Sequence, residues 1–197
     1  MSRFLFIRHA AIDGLGRKIA GRMPGVSLNA VGRRQVERLA SRLVHRGVHD
    51  IYTSPQMRAQ ETARAIADHL GLVPKIAPEL DEIDFGEWTG KSYDELERLP
   101  EWRSFNALRS AKRIPDGELL LEAQARVIGL MARLHQDGPQ RNVALVSHGD
   151  VIRGALAHYL GAPLDFLLRF EISPASVSAV ELCADEPRIL WINKTAD

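Results

Sequence analysis

The run Phe4-Leu5-Phe6-Ile7 is short, wholly apolar, and stops at Arg8-His9. A continuous apolar run of that length reads as a fully buried strand, whereas Arg and His resist burial. In an α/β protein a strand of this kind delivers its terminal side chains to the crevice at the carboxyl edge of the sheet, where ligands bind. The rest of the chain can be tested against that expectation.

Apolar spacing through Val31, Val36, Leu39, Leu43 and Val44 predicts a helix starting near Asn29, followed by a strand at Asp50-Ile51-Tyr52-Thr53. A second helix is expected from about Met57 to Leu70 and another strand at Lys75-Ile76-Ala77. LDEIDFGEWTGKSYDEL then reads as an irregular segment leading to a short helix. Leu120, Ala123, Val127, Met131 and Leu134 share one face of a long helix, which Gly138-Pro139 stop before the apolar strand VALVS. Val151, Ile152, Ala155, Leu156 and Tyr159 mark one more helix, and Ser178 to Leu182 and Arg188 to Ile192 a closing pair of strands. This alternation predicts an α/β fold, a three-layer α/β/α sandwich with a mainly parallel central sheet.

Neither a repeat nor a linker divides the 197 residues, of which 45% are hydrophobic, so one domain over residues 1–197 is expected. Basic and acidic residues balance to a net charge of +1, which leaves no footprint for nucleic acid or an anionic membrane. The single Cys183 excludes an internal disulfide framework and a multi-cysteine metal site, and reads as a packing residue. A reducing, cytoplasmic setting fits that usage. The first apolar run is too short for a signal peptide, and no stretch approaches the roughly 18 apolar residues of a membrane span.

Three strand ends can now be compared. FLFIRHA ends in Arg8-His9, DIYTSPQMRAQET passes into a helix carrying Arg58, and VALVSHGDVIR ends in Ser147-His148-Gly149 at the start of the next helix. All three open on the same edge. Two arginines, two histidines and a helix N-terminus suit a phosphate, because Arg offers forked donors and free N–H groups at a helix start favour an anion. One of the histidines could then attack phosphorus.

Seven stretches carry a wider resemblance: Arg8-His9-Ala10, GRMPGVSLNAVGRRQ from Gly21, SPQMRAQETA from Ser54, LDEIDFGEWTG from Leu80, DGELLLEAQARV from Asp116, VSHGDVIR from Val146 and SPASVSAVEL from Ser173. In this order they resemble the histidine phosphatase superfamily, the phosphoglycerate mutase-like family. The resemblance implies that His9 becomes phosphorylated, that Arg8, Arg58 and His148 hold the phosphoryl group beside Gly149, and that Glu82 protonates the leaving group. It implies a phosphomonoesterase of a small phosphorylated metabolite, working through phosphohistidine with no metal and no cofactor. A phosphoglycerate mutase-type phosphotransferase is the alternative, and a non-catalytic phospho-ligand binding domain comes after it. A homodimer is compatible with the sequence.

The chemistry accounts for the residue types. A neutral imidazole is nucleophilic, and one nitrogen can attack while a hydrogen bond fixes the other. Arg8, Arg58 and a protonated His148 would stabilise the charge that spreads over the equatorial oxygens. An alkoxide needs a proton to leave, which a carboxylic acid of raised pKa supplies. Glu82 is chosen over Asp81 and Asp84 because it aligns with the family block.

Two departures stand out: Ala10 follows His9 where the family often has Gly, and Leu15 stands where it often has a phosphate-binding Asn. Backbone amides or Arg22 are candidate replacements, while Gly21-Arg22 reads equally as pocket wall or as a turn with an exposed Arg. The segment Trp102 to Pro115, with Arg103, Arg109, Lys112 and Arg113, is expected to cover the pocket and set the substrate. It is short and only five residues follow Ile192, so hydrolysis is expected over the closed chemistry of a mutase.

Duller readings compete. Each arginine could be a surface ion-pair partner, each histidine a satisfied structural one, and Glu82 a loop carboxylate. A metallohydrolase using His9, Asp13, His148 and Asp84 has no HExxH or HxH spacing behind it, GxxxxGK[ST] is absent, and Ser147 does not sit in GxSxG.

Overall fold

The structure is a computed structural model that describes residues 1–138, 140–183 and 186–196. In chain order its elements are β1 (Ser2–Arg8), α1 (Ala30–Leu43), β2 (Asp50–Thr53), α2 (Met57–Leu70), β3 (Lys75–Ile76), α3 (Tyr93–Leu96), α4 (Pro100–Ala107), α5 (Leu120–Asp137), β4 (Asn142–Ser147), α6 (Gly149–Leu160), β5 (Val177–Leu182) and β6 (Pro187–Lys194).

Successive side chains of a strand point to opposite faces, so a wholly apolar strand has to be covered twice. In β1, Phe4 and Phe6 join Val143 and Leu145 of β4 under α5 and α6, where Val127, Met131, Ile152 and Leu156 complete the packing. Leu5 and Ile7 join Ala144 and Val146 on the other face, covered by Val36, Leu39 and Leu43 of α1 and by Ala59, Ala63 and Ile66 of α2. Each such side chain contributes about 1.5–3 kcal/mol when fully buried. The result is the three-layer α/β/α arrangement expected from the alternation of elements.

The sheet runs β3-β2-β4-β1-β5-β6. The strands from β3 to β1 are mutually parallel, β5 is antiparallel to β1, and β6 is antiparallel to β5. Register places Arg8 beside Ser147 and Thr53 beside Val146, so β1, β4 and β2 finish side by side. His9, His148 and Ser54 are the residues that immediately follow. The three strand ends do open on one edge.

Local signals explain the boundaries. Asn29 caps α1, its side-chain oxygen accepting from the Gly32 amide at 2.9 Å. The long helix α5 ends at Gly138, as expected, while Pro139 lies outside the described residues. The strand expected over residues 75–77 is two residues long, and the closing pair extends further than its apolar pattern, to Lys194.

One expectation fails. The segment from Trp102 to Pro115 is no loose cover: Trp102 and Phe105 of α4 are buried against Trp88, with the two indoles edge to face at 5.2 Å, and Ile114 is fully buried. Despite its basic residues, three large apolar side chains decide where it goes. Among the described residues no helix is long and apolar enough to cross a membrane.

Candidate active site

A cavity of about 400 Å³ opens at the carboxyl edge of the sheet, lined at its floor by Arg8, His9, Arg58, Glu82 and Gly149. His9 leaves β1 buried, and its Nδ1 lies 2.8 Å from the Ala10 carbonyl. With Nδ1–H donating there, Nε2 keeps its lone pair, and the Arg58 Nε–H points at that atom from 3.3 Å. Burial, then the charges of Arg58 and Arg8, hold the His9 imidazolium pKa down at about 3. The ring is therefore neutral and aimed.

Arg58 sits in the first turn of α2 and is almost wholly buried. Its Nη2 donates to the Gly21 carbonyl at 2.7 Å and to His148 Nδ1 at 3.2 Å, and pairs with Glu82 Oε2 at 3.5 Å. Arg8 donates from Nη1 to the Ile172 carbonyl at 2.6 Å. A Cβ on residue 149 would stand 3.3 Å from Arg8 Cζ, so glycine there lets the guanidinium lie against the start of α6. Burial lowers the pKa of both arginines, yet guanidinium starts so high that both stay charged. Arg8 Nε and Arg58 Nη1 are buried without a hydrogen-bond partner among the described residues. Buried donors are nearly always paired, so these two mark a place for an acceptor that the protein does not supply.

Glu82 closes the floor, its Oε1 accepting from the Ile83 amide at 2.9 Å. Burial raises its pKa to about 7 against the opposing pull of Arg58. Asp81 and Asp84 are occupied elsewhere. Asp81 accepts from Ser54 Oγ, Gln56 Nε2 and the Glu82 amide, and Asp84 from the Gly86 amide.

His148 stands behind the floor, fully buried, with its ring centroid 5.2 Å from that of His9. With Arg58 donating to Nδ1, its Nε2–H donates to Ser54 Oγ at 2.7 Å. Burial, then Arg58 and His9, hold its pKa well below the usual histidine value. The expected protonated His148 is thus corrected: beside two arginines the ring is neutral.

Of the other candidates, Gly21 and Leu15 line the cavity, whereas Arg22 turns away to pair with Asp81, Asp84 and Glu118. Arg22 therefore does not replace the missing Asn. Asp84 points elsewhere too, and among the described residues no group of three His, Cys, Asp or Glu is gathered as for a metal. Cys183 is half-buried, its Sγ 3.8 Å from Glu181 Oε1. The upper walls come from residues the sequence did not single out: Ile12, Lys18, Ile19, Phe85, Tyr93, Asp150 and Arg153. Asp150 and Arg153 were within reach, since a helix starting after His148 puts positions 150 and 153 on neighbouring sites of its first turn. None of the lining comes from residues 102–115.

The sequence matches the family described as histidine phosphatase superfamily (branch 1) over residues 4–195. A Yersinia pestis protein named probable phosphoglycerate mutase GpmB is 30% identical over 185 residues, covering 92% of this chain and 85% of its own. A mycobacterial glucosyl-3-phosphoglycerate phosphatase, solved with VO3, superposes with a TM-score of 0.88 at 25% identity, over 98% of this chain and 99% of its own. The alpha-ribazole phosphatase of Shigella flexneri superposes with a TM-score of 0.86 at 25% identity, over 98% and 96%.

Proposed function

The chain belongs to the histidine phosphatase superfamily, among whose phosphatases and mutases we propose that it is a metal-independent phosphomonoesterase acting on a small phosphorylated metabolite. The observation that carries the reading is the pair of unpartnered donors, Arg8 Nε and Arg58 Nη1, on the floor where His9 Nε2 keeps its lone pair. A phosphoryl group seated there accepts from both arginines, and its charge is met by groups already in position.

His9 Nε2 attacks phosphorus and forms a P–N bond as the ester P–O bond breaks. Glu82, whose proton is held to about pH 7, gives it to the departing alkoxide, so the alcohol leaves neutral. Water then attacks the phosphohistidine, Glu82 takes up the water's proton, the P–N bond breaks, and inorganic phosphate leaves with His9 restored. His148 works through its neighbours: it accepts from Arg58 and stands 3.4 Å from Glu82 Oε2, keeping both on the floor.

Hydrolysis is favoured over transfer because, among the described residues, the mouth of the cavity stands open to water. The segment once expected as a cover is anchored by Trp102 and Phe105, and the mouth is lined by exposed Asp13, Gly16 and Lys18. A mutase has to shield its phosphoenzyme from water. The relative named as a phosphoglycerate mutase favours the second reading, a phosphotransferase. Incubation with 3-phosphoglycerate and a trace of 2,3-bisphosphoglycerate separates the two: phosphate release is expected to dominate, and isomerisation outpacing it about tenfold would reverse the assignment.

A further inference from the structure

Arg8 and Arg58 account for the phosphoryl group, yet the same cavity is lined by two more cations, Lys18 and Arg153. Arg153, on the first turns of α6, is held rigidly. Its Nε donates to the Phe170 carbonyl at 3.1 Å, Nη1 to Asp150 Oδ1 at 2.8 Å and Nη2 to Glu171 Oε2 at 3.2 Å. Three of its five N–H groups are used, and two remain.

Its charge is less compensated than those contacts suggest. Asp150 is shared, because the buried Arg109 donates to its other oxygen at 3.1 Å. Arg109 is fixed in turn by Asn106 Oδ1 at 2.5 Å and by the Phe105 ring, 4.9 Å from its guanidinium carbon. One carboxylate between two guanidinium groups cancels one positive charge and leaves one over. Glu171 adds little, since its side chain is 77% exposed and its pairing is screened by water. Burial pushes the Asp150 carboxyl up, but Arg109 and Arg153 outweigh it and hold its pKa below the usual value, so the carboxylate stays ionised and the surplus stays positive. Arg153 also lies close enough to Arg8 to lower that residue's pKa, second only to burial, which places the surplus next to the phosphate donors. The Lys18 side chain, exposed at the mouth, forms no ion pair or hydrogen bond among the described residues; its charge is set against that of Asp13 at the same mouth, so the surplus rests on Arg153.

We propose that Arg153 is a specificity-determining residue that selects phosphomonoesters carrying a second anionic group, with Arg109 a positioning residue that acts on it through Asp150. This rests on the phosphatase reading of the same floor. A carboxylate or a second phosphoryl group has the required charge and acceptor geometry, and two substrate pairs tell them apart. In one, 3-phosphoglycerate is set against glycerol 3-phosphate, which replaces the carboxylate by a hydroxymethyl group. In the other, propane-1,3-diol bisphosphate is set against 3-hydroxypropyl phosphate.

The protein is expected to prefer the doubly charged member of at least one pair by about tenfold or more in kcat/KM, as for a site built around a group that the analogue lacks. Whichever pair shows it names the source of the charge. Arg153→Gln should shrink that preference to within about threefold through KM on the charged member, with the uncharged member little changed. Arg109→Met leaves Asp150 to cancel Arg153 fully, so it too should raise KM for the charged member and spare kcat, and Arg109→Lys should restore it. A merely structural Arg109 would depress both members alike. Calorimetric Kd values for both pairs on the His9→Ala variant read the preference without turnover. If phosphate is never released but the Kd preference persists and is lost with Arg153→Gln, the hydrolytic reading fails and this one stands. No discrimination in either pair, or equal losses on both members in Arg153→Gln, overturns it.

Discussion

Two arginine-rich regions meet at Glu82 from opposite sides. On its carboxyl side lie Arg8 and Arg58, each with a buried donor left unpartnered among the described residues. On its backbone side Arg22 Nε and Arg126 Nη2 donate to the Glu82 carbonyl, at 2.8 and 3.3 Å. There Arg126 also pairs with Glu118 at 3.0 Å and donates to the Glu79 carbonyl, while Arg22 pairs with Asp81, Asp84 and Glu118. The residue types are the same, but the satisfaction of their donors is opposite. Arg126 has all three nitrogens engaged and holds a loop in place, whereas Arg8 Nε and Arg58 Nη1, buried at the cavity floor without a partner among the described residues, are left for an acceptor the protein does not supply. Satisfaction and position on the cavity together separate the roles where residue type cannot.

The largest test of that contrast removes the atom the first region serves. His9→Ala should lose at least about 10⁴-fold in kcat, the scale seen when a nucleophile is deleted, and acquire no acid-labile phosphoryl label in rapid quench. It should remain folded, since the His9 ring makes two hydrogen bonds, to its neighbour's carbonyl and from Arg58 Nε, and the backbone bond to Ser147 survives the substitution. Normal labelling of this variant would move the nucleophile elsewhere. Removing divalent ions with a chelator should leave the native enzyme's rate unchanged, because the two arginines already supply the charge that a metal would otherwise bring; a loss restored by one particular ion would break that part of the account.

The contrast itself is sharpened by paired substitutions. Arg58→Met should cost about 10²–10³-fold in kcat, as for loss of a preorganised donor to the transition state, with little loss of stability. Arg126→Met should do the reverse. It leaves Glu118, nearly buried, with Arg22 as its one remaining charged partner of two, which costs about 1–3 kcal/mol of stability, and it should slow turnover far less. Denaturant melts beside kinetics on both variants decide this, and similar profiles for the two would dissolve the distinction.

Much of this was legible in the chain. The middles of β1 and β4, residues 4–7 and 143–146, are wholly apolar because both faces are covered, and the strand ends named Arg8, His9 and His148 before any geometry. The short helix signals at Asn29 and Gly149 held for the same local reason, since a cap or a close approach depends on adjacent residues. Three things were not legible. Glu82 could be preferred to Asp81 only through the family block, since what turns Asp81 away is Ser54 and Gln56, on a different strand end. The charge state of His148 depends on its own burial and then on Arg58 beside it, which no pattern records. The course of the 102–115 segment turns on Trp88, distant in sequence, and of its basic residues Arg109 reaches the site only through Asp150.

The smallest effect concerns stability, and it tests whether Glu82 belongs with the unsatisfied side. In the unfolded chain its carboxyl ionises near the ordinary 4.5, and in the folded protein burial holds the proton to about 7. A folded pKa above the unfolded one means the folded state binds the proton more tightly. Its contribution is complete below about 4.5 and is lost as pH rises through 7, where a buried carboxylate has to form. His9 behaves oppositely, because its pKa falls from 6.5 to about 3: its contribution is present above 6.5 and is lost as pH falls toward 3. Glu82→Gln keeps an acceptor for the Ile83 amide and cannot ionise. At pH 8 it should melt a few degrees above the native protein, since about 1 kcal/mol corresponds to about 2–4 °C for a chain of this size, and near pH 4.5 the two should coincide. The same variant should lose about 10²-fold or more on alkyl phosphates and far less on p-nitrophenyl phosphate, whose leaving group needs little protonation. A variant more stable at alkaline pH and crippled only where a proton must be given makes Glu82 the acid. One that is less stable at both pH values, with equal losses on both substrates, makes it a strut like Arg126.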